Sequence, residues 1–391
     1  MKPFAAGIVS EYNPFHNGHL YHIERTRELG ASHIVAVMSG NFVQRGDVAV
    51  LDKHTRAEAA LLHGADLVIE LPCAYALASA ERFAWGAVYL LDALGCIDLI
   101  SFGSESGSIA ALGRAADASL SVEGTEALAE ALRAGRSYPA AVQEAAASLH
   151  GEKVSALLAT PNNTLGIEYL KALRRLGSSI RPLTIPRESA PHDAEVPAGR
   201  FASASHLRKL LLAGDASAER YLPGELPGEG ELARFSHLEG AFLYRLRTMS
   251  ADDFARIPGV SEGLENRLHE AARAAVSTGD FFARVKTKRY TLARLRRILC
   301  AALLGITKKD LQEPPPYARI LGMNAAGREL LSHGQARRRI AVEGSLAKLR
   351  ARGGASRRAA ELEAFATDMF ALARSERLPC GSDYLRKLIL T

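Results

Sequence analysis

Two histidines sit three residues apart in the run EYNPFHNGHLYH, residues 11–22, with Gly18 between them. Proline and glycine mark a turn there, between the apolar run Ala5–Ser10 and the amphipathic stretch Gly18–Leu29. A helix that starts at such a turn presents unpaired backbone N–H groups and the positive end of its dipole, which together attract phosphate. Gly18 lets a ligand approach the backbone, and His16 and His19 supply donors to phosphate oxygens. Donors of that kind stabilise charge at a phosphoryl centre without covalent chemistry. A second group, Ser203, Ser205 and Arg208, stands at another helix start far downstream. The pair fits nucleotidyl transfer, with attack at an α-phosphate and departure of pyrophosphate. An isolated H-x-G-H is a common accident, and it is the second motif and the strand-to-helix setting that give it weight.

The elements that must carry these residues alternate. Apolar runs at Ala5–Ser10, His33–Met38, Leu67–Leu71, Leu99–Phe102 and Ile180–Ile185 read as strands. Helices are expected over Gly18–Leu29, Lys53–His63, Ala76–Leu94, 161–177 and 203–214. That pattern is α/β, a Rossmann-like parallel sheet covered by helices. Its ligands bind beyond the carboxyl ends of the strands. Residues 108–158 are alanine-rich and helical, a cap or insertion. The Pro-, Gly- and Glu-rich segment 223–231 is the expected boundary, giving domains 1–222 and 223–391, the second mainly helical through Thr391.

The chain has 391 residues, 48% of them hydrophobic, and a net charge of +6. No apolar run is long enough for a membrane span, and no secretory leader is legible. Cys73, Cys96, Cys300 and Cys380 form neither a zinc pattern nor a disulfide framework. A reducing, cytoplasmic setting is expected, with no protein-borne metal site and no obligate protein partner. Basic residues cluster unevenly: seven of the fourteen residues from Arg284 to Arg297 are Lys or Arg and none is acidic. Read as one helix, 284–299 puts Leu292, Leu295, Ile298 and Leu299 on one side and a polyanion-binding face on the other.

The runs 11–22, MSGNFVQRGD (38–47), LVIELP (67–72), FGSES (102–106), NNTLGIEYLKAL (162–173) and VKTKRYT (285–291) resemble the bacterial tRNA(Met) cytidine acetate ligase family, within the HIGH-motif nucleotidyltransferase superfamily. The likeness runs from residue 4 to at least Leu321. It implies that acetate attacks ATP, carried with Mg²⁺, to give acetyl-adenylate. The N4 amine of the wobble cytidine of elongator methionine tRNA then takes the acetyl group, leaving N4-acetylcytidine and AMP.

By the same resemblance His16 and His19 are catalytic. The ATP floor spans Val9, Ser10, Glu11, Tyr12, Asn13, Pro14, Phe15, His16, Asn17, Gly18, His19, Leu20, Tyr21 and His22. Gly103, Asn162 or Asn163, Arg187, Ser203, Ser205 and Arg208 complete the nucleotide site. A helix cap is an equal reading for one of the two asparagines. His206 departs from the superfamily's second motif, which usually has serine and threonine before its last basic residue. Gln44, Arg45 and Lys53 are candidates for an acetate lid, although Lys53 also suits the start of a plain amphipathic helix. Lys286, Lys288, Arg289, Arg294 and Arg297 are expected on tRNA phosphates, with Tyr290 stacked on a base. A small-molecule adenylyltransferase and a non-catalytic RNA-binding factor with a nucleotide pocket are the rival readings.

Overall fold

The computed structural model describes residues 3–186, 199, 201–225, 231–261 and 263–391. Ten strands are found among them: β1 (Ala5–Ser10), β2 (His33–Ser39), β3 (Phe42–Val43), β4 (Asp47–Val48), β5 (Leu67–Leu71), β6 (Leu99–Ser104), β7 (Arg181–Pro186), β8 (Tyr317–Met323), β9 (Ala341–Glu343) and β10 (Ile389–Leu390). The main sheet runs in the order β10-β8-β5-β2-β1-β6-β7, with β9 also on β8. Strands β5, β2, β1, β6 and β7 are mutually parallel. The chain moves outward from β1 to β5, then returns to lay β6 on the other side of β1. That reversal leaves a crevice outside the carboxyl ends of β1 and β6, where such sheets bind ligands.

Side chains alternate across the pleat, so each strand feeds two cores. Ile8, Ile34, Ala36, Met38 and Val68 pack on one face with Ile23 and Ala57, from the helices Asn17–Glu28 and Lys53–Leu62. Val35, Val37, Leu67, Ile69 and Leu71 pack on the other with Leu90 and Leu170, from the helices Ala80–Leu94 and Pro161–Leu176. This second core continues without a break into Phe242, Leu268, Phe281, Ile298 and Phe370 beyond the expected boundary.

Three elements differ from the sequence reading. The expected helix from Ala76 is two, Cys73–Ala76 and Ala80–Leu94, because Ser79 caps the second. The expected helix 284–299 is broken: one helix ends at Val285, Thr291 caps the next, Leu292–Leu304, and residues 286–291 form a loop. The C-terminal half is mainly helical but also supplies β8, which runs antiparallel to β5. Its run YARILGM carries a buried arginine, Arg319, which disguises a strand enclosed on all sides. Residues 109–157 form four helices around a small core of their own, Val122, Leu128, Ala141, Val142 and Ala145.

Candidate active site

The turn after β1 is fixed from below. Arg56, fully buried, donates through Nε to Leu51 O at 2.9 Å and through Nη1 to Ser39 O at 3.1 Å and to Glu11 O. Asn13 Oδ1 accepts the Val50 N–H at 2.8 Å. Tyr12 takes φ 44°, a left-handed conformation that costs a non-glycine residue energy and has to be held by its surroundings. Its ring is buried edge-on to His19, with centroids 4.9 Å apart.

His16 and His19 then cap their own helix. His16 Nδ1 accepts the Gly18 N–H at 3.0 Å, and His19 Nδ1 accepts the His16 N–H at 3.3 Å. A backbone N–H can only donate, so both Nδ1 atoms are unprotonated and each ring carries its proton on Nε2. The rings stack at 3.8 Å. The remaining ring donor of each is thereby Nε2–H, on residues that line the cleft. Gly18 is required by this packing: a Cβ there would lie 2.9 Å from His16 Cε1.

The second motif comes to the same place. Ser203 caps the helix Ala204–Ala213 by accepting the His206 N–H at 3.1 Å. Arg208 donates to Ser205 Oγ at 3.1 Å and to Asn13 O at 2.9 Å, tying the two motifs together. Burial lowers the Arg208 pKa, against the opposing pull of Glu11 and Asp47. The unexpected His206 turns its ring towards Tyr221 and does not line the cleft.

At the end of β6 the two asparagines divide their tasks. Pro161 opens the helix Pro161–Leu176, and the next two N–H groups need acceptors. Glu105 supplies them, accepting from Asn162 N at 3.2 Å and Asn163 N at 2.7 Å. Asn163 is buried, with Oδ1 on the Ser106 N–H. Asn162 donates to Glu105 and faces the cleft.

The cleft holds about 680 Å³. Of the expected residues, Val9, Ser10, Glu11, Tyr12, Asn13, His16, Gly18, His19, Tyr21, His22, Gln44, Arg45, Gly103, Asn162, Ser203, Ser205 and Arg208 line it. Pro14, Phe15, Asn17 and Leu20 do not: Phe15 is core, stacked on His63, and Asn17 bonds Arg220 O. Arg187 lies outside the described residues. Sequence reasoning missed the far walls, Phe83, Tyr169 and Phe201, and the edge of the inserted helices at Ser137, Pro139 and Gln143. Apart from Tyr169, which lies within the run 162–173, those positions belong to none of the runs singled out in the sequence.

Lys53 is a correction. It is buried and bonded to Glu70 at 2.6 Å and Asp383 at 2.7 Å, so it cannot reach the cleft. Arg319 joins the same carboxylates at 2.9 and 2.8 Å. Burial alone would raise the Asp383 carboxyl, but Lys53, His54 and Arg319 hold it well below the usual range. Glu363, buried beside Glu70, moves the other way, to about 8, through desolvation and the Glu70 charge. It accepts the Cys73 N–H at 2.6 Å. This is a sealed, internally neutralised cluster.

The basic segment also divides. Lys286 and Lys288 are exposed in the loop and Arg289 is partly so. Three further expectations are corrected. Tyr290 is buried, under the Arg294 guanidinium at 5.2 Å, so its ring is not presented to a base. Arg294 donates to Gly259 O at 2.9 Å, and Arg297 donates to Gln44 O at 3.3 Å. Both are engaged with the protein's own backbone.

Sheet order, crevice and paired-histidine cap define an α/β nucleotidyl transferase, and the HIGH Nucleotidyl Transferase family model matches residues 3–380. The tRNA(Met) cytidine acetate ligase of Acetivibrio thermocellus is 40% identical, with 98% of this chain and 99% of the relative covered. That of Caldanaerobacter subterraneus is 41% identical, with 98% and 99% covered. The fold superposes on Thermotoga maritima TmcAL bound with alpha-thio ATP at TM-score 0.89 and 34% identity, covering 99% of this chain and 100% of the other. The chain belongs to the tRNA(Met) cytidine acetate ligase family of HIGH nucleotidyl transferases.

Proposed function

We propose that the chain is an ATP-dependent tRNA(Met) cytidine acetate ligase. The observation that carries the reading is the reciprocal histidine cap, with both Nε2–H donors set at the switch point of the sheet, in a chain that matches ligases of that name along almost its whole length. ATP lies with its phosphates on the His16–His19 helix start and on Ser203, Ser205 and Arg208, and its adenosine beside Gly103 and Asn162. An acetate oxygen attacks the α-phosphorus, the bond to the β-phosphate oxygen breaks, and pyrophosphate leaves. His16 and His19 stabilise the charge that builds on the phosphate oxygens. The N4 amine of the wobble cytidine of elongator methionine tRNA then attacks the acetyl carbonyl. AMP departs and the amine proton is lost to solvent. Enclosure by the cleft walls protects the mixed anhydride from water.

Mg²⁺ enters as part of the ATP substrate. Glu11 is the one carboxylate among the described residues lining the cleft, so phosphate oxygens and water must supply most of the ion's ligands. A division of labour follows: residues up to 222 carry ATP and acetate, and residues from 223 carry the cations for tRNA, chiefly Lys286, Lys288 and Arg289. The substrate implies a cytoplasmic setting. Among the described residues no helix is long and apolar enough to cross a membrane.

Exchange of labelled pyrophosphate into ATP tests the chemistry. It should require acetate and proceed without tRNA, and added tRNA(Met) should then gain N4-acetylcytidine. Exchange driven by another small substrate and indifferent to acetate would point to a small-molecule adenylyltransferase. No exchange, with RNA still bound, would leave a binding factor.

A further inference from the structure

Strands β3 and β4 form a hairpin joined at only two register positions, Phe42 with Val48 and Val43 with Asp47. A ribbon that short does not hold itself in place in water. On one side it faces the cleft: Gln44 and Arg45 line it, the Gln44 N–H donates to Glu11 Oε1 at 2.8 Å, and Gln44 Nε2 donates to Ala78 O at 3.4 Å. On the other side it is seated on the helix Leu292–Leu304. Gly46, at φ 73°, lies so close that a Cβ there would fall 2.4 Å from Arg297 N and 2.5 Å from Arg296 C. Arg296 Nε donates to Gly46 O at 3.1 Å, and its guanidinium pairs with Asp47 at 2.7 Å and lies over the Phe235 ring at 4.4 Å. Arg297 Nη1 donates to Gln44 O at 3.3 Å. Three hairpin residues, Gln44, Gly46 and Asp47, are therefore anchored by two consecutive arginines from the other half of the chain.

We propose that Arg296, Arg297 and Gly46 are positioning residues that set Gln44 and Arg45 against the carboxylate substrate. The inference rests on the acetate-ligase reading. Cleft cations are few: Arg208 is bound to Asn13 O and Ser205 Oγ at the phosphate end, while Arg45 travels with the hairpin. A carboxylate needs a cation held at hydrogen-bonding distance, and an ångström of displacement is costly to a reacting pair. The same helix begins directly after the exposed loop 286–291. The basic segment thus serves two ends: its loop is turned to solvent, and its helix holds the small-acid site.

The test is acetate-dependent pyrophosphate exchange by the full chain, without tRNA. Arg296→Ala should raise the KM for acetate about tenfold, leaving the KM for ATP within about twofold. Asp47→Asn, which keeps the hairpin's shape, should act in the same direction and serves if Arg296→Ala does not fold. The double exchange Asp47→Arg with Arg296→Asp should recover much of the loss. Unchanged acetate KM in both single variants overturns the inference. So does a parallel rise in both KM values that the exchange variant does not rescue, since that is general loosening. Absence of acetate-dependent exchange in the unaltered protein counts against the ligase reading instead.

Discussion

Two charged regions lie along the main sheet, on either side of β2, and they are built in opposite ways. The crevice at β1 and β6 is lined by Arg45, Arg208 and, among the described residues, one carboxylate, Glu11, and it holds two imidazoles through backbone bonds to their Nδ1 atoms. The cluster at β5 and β8 sets Lys53 and Arg319 against Glu70 and Asp383 and seals all four from water. The crevice residues line an open cleft of about 680 Å³, so their polar atoms stay within reach of a ligand. The cluster residues are buried against one another and reach none. Charge in the sheet therefore points to a ligand when it lines a cleft, and not when it is sealed among its own counter-charges.

The largest effect expected from this contrast is on folding. Asp383→Asn removes one carboxylate from between Lys53 and Arg319 and leaves buried charge unmatched, which typically costs about 3–5 kcal/mol. Denaturant unfolding should report a loss of that size, and a loss below about 1 kcal/mol would mean that the cluster is open to water. Next in size, His19→Ala in the crevice should slow acetate-dependent exchange about 100-fold or more while the unfolding midpoint barely moves. A large fall in stability there would erase the distinction between the two regions.

A smaller effect separates the exposed loop from the docked helix. Changing Lys286, Lys288 and Arg289 together to Gln should flatten the dependence of log tRNA affinity on log salt by about two units, at roughly 0.7 per phosphate contact. Affinity should fall alike for every tRNA, since phosphate contacts position without specifying. An unchanged slope would move the RNA surface elsewhere.

The last effect is a pH dependence inside the cluster. Glu363 holds its proton to about 8, against an ordinary 4.5 in the unfolded chain. The folded state binds the extra proton between those values, so this contribution to stability is complete below about 4.5 and is lost as pH climbs through about 8. Glu363→Gln keeps a neutral side chain of the same shape and should remove that alkaline sag. Melting curves of the two proteins across that range should diverge, and parallel curves would mean that Glu363 is ionised throughout.

Much of the crevice was legible in the sequence because its signals are local. The strand, the turn residues and the histidine spacing all lie within residues 5–22, and the serines stand beside the arginine they serve. Asn162 and Asn163 could not be told apart, because which of them faces the cleft depends on Glu105, 57 positions away. Lys53 and Arg208 both read as cations near helix starts. Their difference lies in partners supplied by Glu70 and Asp383, neither of which any local pattern connects to Lys53. Strand β8 went unread for the same reason, since Arg319 looks like a surface residue until its two carboxylates are known. The break at 286–291 is set by a threonine cap and by the docking of the next helix on the hairpin, both weaker in sequence than the run of basic residues.

The separation of Lys53 from Asp383 by 330 positions also bears on how the protein is made. A ribosome adding roughly 5–20 residues each second needs about 15–70 seconds to travel from one to the other. For most of that time β1, β2 and β5 exist without β8 at their flank, and until Arg319 is made Lys53 and Glu70 have only each other. A nascent chain stalled or cleaved before Asp383 would leave an open sheet edge and an unmatched charge, both of which quality-control proteases and chaperones engage. The residues that close the cluster are in effect a late checkpoint on synthesis, passed only by a chain that has also acquired its cationic loop.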